Sequence, residues 1–185
     1  MSRPKTALIL IAILLIAFIF VGCNRVPGTT PRAGLEITDM AGREVKLEGP
    51  ATRIVALTAG DCEIIFALGA GDALVGRGAY CDYPEQIFEI PALESGGETN
   101  IEQIIALEPQ VVIMGTMAQT SEHIKALERA GIAVVVTDAQ DISGTYEAIK
   151  LIGAVTGKND EAAALVDEME AGFEELKSKV PKDSV

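Results

Sequence analysis

The chain has 185 residues, 49% of them hydrophobic, and a formal net charge of −12. That is enough for one domain with a real core, and the lack of a basic footprint excludes nucleic acid as a partner. Three cysteines without a CxxC spacing and a single histidine also make poor material for a metal site, and neither a metal nor a cofactor is expected.

The chain begins with two basic residues, Arg3 and Lys5, followed by fifteen consecutive apolar residues, Ala7–Val21. Fifteen residues reach only ~22 Å as a helix, short of the ~30 Å hydrocarbon core. A basic start, a short apolar stretch and a small residue before the cut describe a secretory signal peptide over residues 1–22. Phe20-Val21-Gly22-Cys23 resembles a bacterial lipobox with Phe in place of the usual Leu, so that Cys23 would carry lipid and become the new N-terminus. A short uncleaved anchor is the alternative. Both place the rest of the chain outside the cytoplasm, at the cell membrane. Loss of residues 1–22 leaves 13 basic against 27 acidic residues, a net charge of −14. Such a surface repels anionic headgroups, so attachment has to come through the lipid or the anchor.

Residues 23–34 form a Pro-, Gly- and Thr-rich tether. Leu35–Leu47 alternates apolar and polar residues around Ala41-Gly42, which predicts a β-hairpin. Arg53–Leu57 is a buried parallel strand. Thr58 and Asp61 have capping-box-like spacing, which starts a helix that runs to Leu68 and is ended by Gly69 and Gly71. Ala73–Val75 is a second apolar run that opens into a loop, Arg77–Pro84. Asn100 and Gln103 start another short helix, which Pro109 ends. Val111–Met114 and Ile132–Val136 read as strands, Ser121–Ala130 and Gly144–Thr156 as helices. Asp160–Val180 reads as a long amphipathic helix capped by Asn159, with the acidic pairs Asp167/Glu168 and Glu174/Glu175 on its wet face. Its apolar stripe needs a partner, and the helix looks like a connector to something absent from the chain.

Strand, loop, helix, strand, loop is the grammar of a parallel α/β domain, which binds ligands at the carboxyl ends of its strands. An enzyme is the main rival on such a fold. Gly69-Ala70-Gly71, however, follows a helix instead of opening one, and there is no GxxxxGK[ST] loop. His123 has no convincing catalytic partner and reads as a solvated surface histidine.

The run RIVALTAGDCEIIFALGAGDALVGRGAYCDYPEQ, with TNIEQIIALEPQVVIMG after it, resembles the substrate-binding proteins of ABC importers for cobalamin, haem and iron-siderophores, the cobalamin-binding type most closely. The paired signatures are YxDYP at Tyr80–Pro84 and N-[LI]-E followed by A-L-x-P; the likeness covers residues 53 to about 180. It implies a Rossmann-like α/β first lobe over residues 35–158 and an interlobe helix over 159–180. A tail follows at 181–185, and the second lobe is absent. It further implies capture of cobalamin, haem or a ferric siderophore and delivery to ABC permease subunits by a monomer with no catalysis. A membrane-tethered interaction module without a ligand is the alternative.

The resemblance sets Tyr80 against the ligand's flat face, where a ring buries large area and offers a polar tip. A partly buried loop aromatic is the plainer reading. Tyr83 joins the candidate ligand-binding residues, although in the Asp82-Tyr83-Pro84 turn it better suits packing under the loop and fixing its shape, with Asp82 capping the turn. The backbone of Thr58, Ala59 and Gly60, where strand meets helix, offers N–H groups to a polar ligand or serves only as a helix cap. Gly96 and Gly97 occupy the place of a second ligand-stacking aromatic in a cobalamin-binding relative, Gly96 aligning with the ring itself, which makes the surface shallower. Glu102 sits where the family's glutamate pairs with permease arginines. A first-turn carboxylate also complements the helix dipole, worth about 0.3–1 kcal/mol. Cys62 and Cys81 either pair in an oxidising compartment or stay free as small apolar residues.

Overall fold

The short β-branched runs of the sequence become the inner strands of a parallel sheet. The structure, a computed structural model, describes residues 34–94, 99–116 and 120–180. The signal segment, Cys23 and nearly all of the tether therefore lie outside the described residues, as do Gly96, Gly97 and the tail.

The elements in chain order are β1 (Leu35–Thr38), β2 (Glu44–Leu47), β3 (Ile54–Ala56), α1 (Ala59–Ala67), β4 (Leu74–Gly78), β5 (Ala92–Leu93), α2 (Ile101–Ala106), β6 (Val111–Gly115), α3 (Thr120–Arg129), β7 (Ala133–Thr137), α4 (Ile142–Thr156) and α5 (Asn159–Lys179). Short 3-10 turns cover Gly71–Ala73 and Glu85–Glu89. β1 and β2 form the expected antiparallel hairpin. The other five strands form one sheet in the order β5-β4-β3-β6-β7, every neighbour parallel.

Alternation along the strands sorts the core into two layers. Ile54, Ala56, Ile113 and Val135 face one side, where Ile65 and Leu68 of the α1 region meet Ile149, Ile152 and Val155 of α4. Val55, Val112, Met114, Val134 and Val136 face the other, against Ile104, Ile124 and Leu127 of α2 and α3. A strand covered on both faces has no solvent side, so it reads as an unbroken apolar run.

The sheet edge at β7 is closed by the hairpin turn. Met40 N–H donates to Val136 O at 3.0 Å, and Val136 N–H donates to the Asp39 carboxylate at 3.2 Å. That covers backbone groups which would otherwise template association with another strand.

α4 and α5 pack closely because Gly153 has no side chain. A Cβ there would stand 2.5 Å from that of Ala162. Gly157, at φ +72°, ends α4 in the left-handed conformation. α5 is 21 residues long, about 32 Å, yet only Ala162 and Val166 are buried. Of its later apolar residues, Met169 and Phe173 are half-buried and Leu176 is 59% exposed.

Several expectations are corrected. Asn159 is not the cap of α5. It is the first helical residue, and the cap position is Lys158, whose side chain makes no capping bond; it pairs instead with Glu161 at 2.9 Å. α4 begins two residues before Gly144, because Asp141 caps it by accepting from Gly144 N–H at 2.7 Å. Arg77 belongs to β4, not to the loop after it. His123 is buried, not solvated, and among the described residues its Nδ1 has no hydrogen-bond partner. It shares the inner face of α3 with Thr120, Ile124 and Leu127.

Candidate functional site

The switch point of the sheet lies between β3 and β6, where the chain reverses its direction of winding. In many such folds the crevice there holds the ligand. Here its floor is occupied by the protein itself. Thr58 Oγ1 accepts from Asp61 N–H at 3.2 Å, which caps α1, and donates to Asp61 Oδ2 at 2.5 Å. Thr137 Oγ1, at the end of β7, donates to the same carboxylate oxygen at 3.0 Å. A Cβ on Gly115 would come within 3.2 Å of the Thr58 methyl. Asp61 is 4% exposed. Burial pushes its carboxyl up from the ordinary range, against the opposite pull of the Thr58 and Thr137 hydroxyls. The Thr58 side chain is thus committed to capping. Of the three residues expected there, Ala59 is half-buried and Gly60 exposed, and among the described residues nothing lies within 4 Å of a Cβ built on Gly60.

The turn after β4 is built differently. Cys81 N–H donates to Gly78 O at 3.1 Å, which closes a tight turn with Ala79 and Tyr80 at its tip. Beneath it, Arg77 is buried and donates from Nη1 to Cys81 O at 2.9 Å and Gly78 O at 3.3 Å, and from Nε to Ile90 O at 3.2 Å. Its guanidinium stacks on the Phe88 ring, 5.3 Å from the centroid. Cys81 points inward to Cys62 on α1, the two sulfurs 3.0 Å apart. A buried sulfur and a buried guanidinium hold the turn from below, so Tyr80 is left outside at 81% exposure.

Tyr83 is exposed too, at 66%, which corrects the expectation that it packs under the loop. It stays among the candidate ligand contacts. Asp82 is exposed. Ile142, which opens α4 just beyond β7, adds another exposed apolar side chain to the carboxyl ends of the strands. Large exposed apolar groups gathered at one end of a fold mark a binding surface. Arg77 and Phe88 were missed by sequence reasoning. An arginine at the last turn of an apolar strand, followed by an aromatic eleven residues on, was the available signal.

Glu102 lies on the exposed first turn of α2, which Asn100 caps by accepting from Gln103 N–H at 3.0 Å. An open apolar groove of about 560 Å³ runs along the end of α5, lined by Met169, Gly172, Phe173 and Leu176 among others. It lies on that helix, not at the strand ends.

With the fold in place, a family model described as periplasmic binding protein matches residues 54–184. The chain belongs to the periplasmic binding protein family. This binding protein is 31% identical to an uncharacterized ABC transporter substrate-binding lipoprotein, YvrC, of Bacillus subtilis, over 95% of its own length and 59% of that protein's. It is 29% identical to the vitamin B12-binding protein of Vibrio campbellii, over 71% of its own length and 48% of that protein's. A solved structure of a possible iron-binding (periplasmic solute-binding) protein from Staphylococcus epidermidis matches with a TM-score of 0.66 at 29% identity, over 71% of this chain and 52% of that one. The binding protein thus spans about half to three fifths of the length of these relatives. The family is one of binding proteins, not of enzymes.

Proposed function

We propose that this chain is the extracytoplasmic, lipid-anchored solute-binding component of an ABC importer, which captures cobalamin or an iron chelate such as haem or a ferric siderophore. One observation carries the reading: Tyr80 stands 81% exposed on a turn whose first and last residues, Gly78 and Cys81, are buried. A large ring held rigidly outside a domain costs little conformational freedom when a flat solute covers it. Support comes from the vitamin B12-binding and possible iron-binding relatives. The test is an absorbance titration of the chain with cobalamin, haemin and a ferric siderophore in turn. Saturable spectral change with one of them is expected. No change with all three would end the solute-capture reading.

Glu102 then serves docking to the permease. An exposed carboxylate at the start of a helix is suited to steer an encounter with a basic surface and to fix its orientation. Glu102→Ala is expected to weaken docking to the cognate permease several-fold, more at low salt, with the fold unchanged. Equal docking affinity at low and high salt in both proteins would remove this role.

Cys23 carries the anchor in this reading. Cys23→Ser is expected to move the protein from the membrane fraction to the soluble one. Membrane association that persists in the variant would instead mean an uncleaved apolar anchor.

A further inference from the structure

We propose that Cys62 and Cys81 are a disulfide-forming pair that staples the Tyr80 turn to the first turn of α1. Both side chains are buried, at 0% and 1% exposure, and both are free thiols in this structure. Their sulfurs are 3.0 Å apart, and a disulfide bond is about 2.05 Å, so pairing asks for a movement of about 1 Å. Cys62 is in the first turn of α1, next to Asp61 and the strand-end network. Cys81 closes the Gly78–Cys81 turn. The bond would therefore join the two pieces of backbone that flank the candidate site.

The surroundings favour one direction of reaction. Cys62 Sγ donates to Cys81 Sγ. Accepting that bond, with the Arg77 guanidinium close by, draws the Cys81 thiol down. Donating it, together with burial, pushes the Cys62 thiol up. When the turn opens, Cys81 moves out with it while Cys62 stays in α1, so Cys81 is the sulfur that an external disulfide meets first. Its thiolate displaces one thiolate from an external disulfide, either that of a thiol oxidase or oxidised glutathione, and forms a mixed disulfide. Cys62 then loses its proton and attacks Cys81 Sγ, expelling the second thiolate. Two thiols of the chain are oxidised to one disulfide, one external disulfide is reduced to two thiols, and the protons pass to the departing thiolates. Because both sulfurs are covered in the folded chain, the bond forms while the turn is still open.

Where the bond forms in the cell rests on the extracytoplasmic reading above; whether it forms does not. The purified full chain, reduced in detergent, is equilibrated across a series of glutathione ratios, quenched in acid and mapped as peptides. A linked peptide holding Cys62 and Cys81, with loss of two hydrogens in intact mass, is expected where oxidised glutathione dominates. Chymotryptic cleavage after Tyr80 should then slow several-fold. Free thiols throughout, glutathione adducts alone, or bonds made only through Cys23 would overturn the proposal. Protein recovered from its host with thiols trapped is expected to hold the same bond. If the thiols are free there but pair in the glutathione series, the pair stands and the extracytoplasmic reading falls.

Discussion

Asp39→Ala is expected to lower the stability of the domain by about 3 kcal/mol, and Tm by about 10 °C. The side chain is fully covered and accepts four hydrogen bonds. Ala41 N–H and Arg43 N–H donate to one oxygen at 3.1 and 2.8 Å. Arg43 Nη1 and Val136 N–H donate to the other at 3.1 and 3.2 Å. Removal of the carboxylate strands the buried Val136 amide, which costs more than the net worth of the bond itself. The ion pair with Arg43 adds less, because that side chain is 28% exposed and keeps Val134 O and Glu128 as partners. The same substitution loosens the hairpin from β7. Urea denaturation checks this, and a loss below about 1 kcal/mol would show that the edge is held by something else.

Tyr80→Ala is expected to leave stability within about 0.5 kcal/mol of the native protein, since a side chain exposed at 81% gives up almost no packing. Affinity for the captured solute should fall about 30-fold, or about 2 kcal/mol, as for an aromatic at the centre of a contact. Tyr80→Phe separates the two parts of the side chain. If the ring face does the binding, Phe keeps most of the affinity; if the hydroxyl is the recognised group, Phe behaves like Ala. Equal affinities in the native protein and the alanine variant would take Tyr80 out of the site.

The strands β3, β6 and β7 were legible because burial on both faces leaves an apolar run with no alternative use. The hairpin was legible in the alternation of Leu35–Leu47, and two helix starts in the side chains of Thr58 and Asn100. β5 was not, since two residues after a proline carry no period. Asp141 was passed over because Ser143 and Gly144 are weak helix formers that mask the true start. His123 was misplaced through its chemistry. Its spacing with Thr120, Ile124 and Leu127 already put it on the inner stripe of α3. Of the candidate site, the turn at Tyr80 could be read from the chain. Its support was legible only in part: a Cys62–Cys81 pairing was one of two alternatives, whereas Arg77 and Phe88 meet only in three dimensions. The same holds for Thr137, which reaches Asp61 across 76 residues.

The central claim is that the exposed turn after β4 is the surface that grips a solute. The chain has three tyrosines, Tyr80, Tyr83 and Tyr146, the last half-buried on α4 and well suited as an internal reference. Selective labelling of tyrosine rings therefore gives three resonances to follow while the bound solute is titrated in. The Tyr80 signal is expected to shift most, Tyr83 to follow, and Tyr146 to stay where it is. Saturable binding that leaves Tyr80 and Tyr83 unmoved, with methyl shifts at Met169 and Leu176 in a second, methyl-labelled sample, would place the solute on α5 and contradict the account.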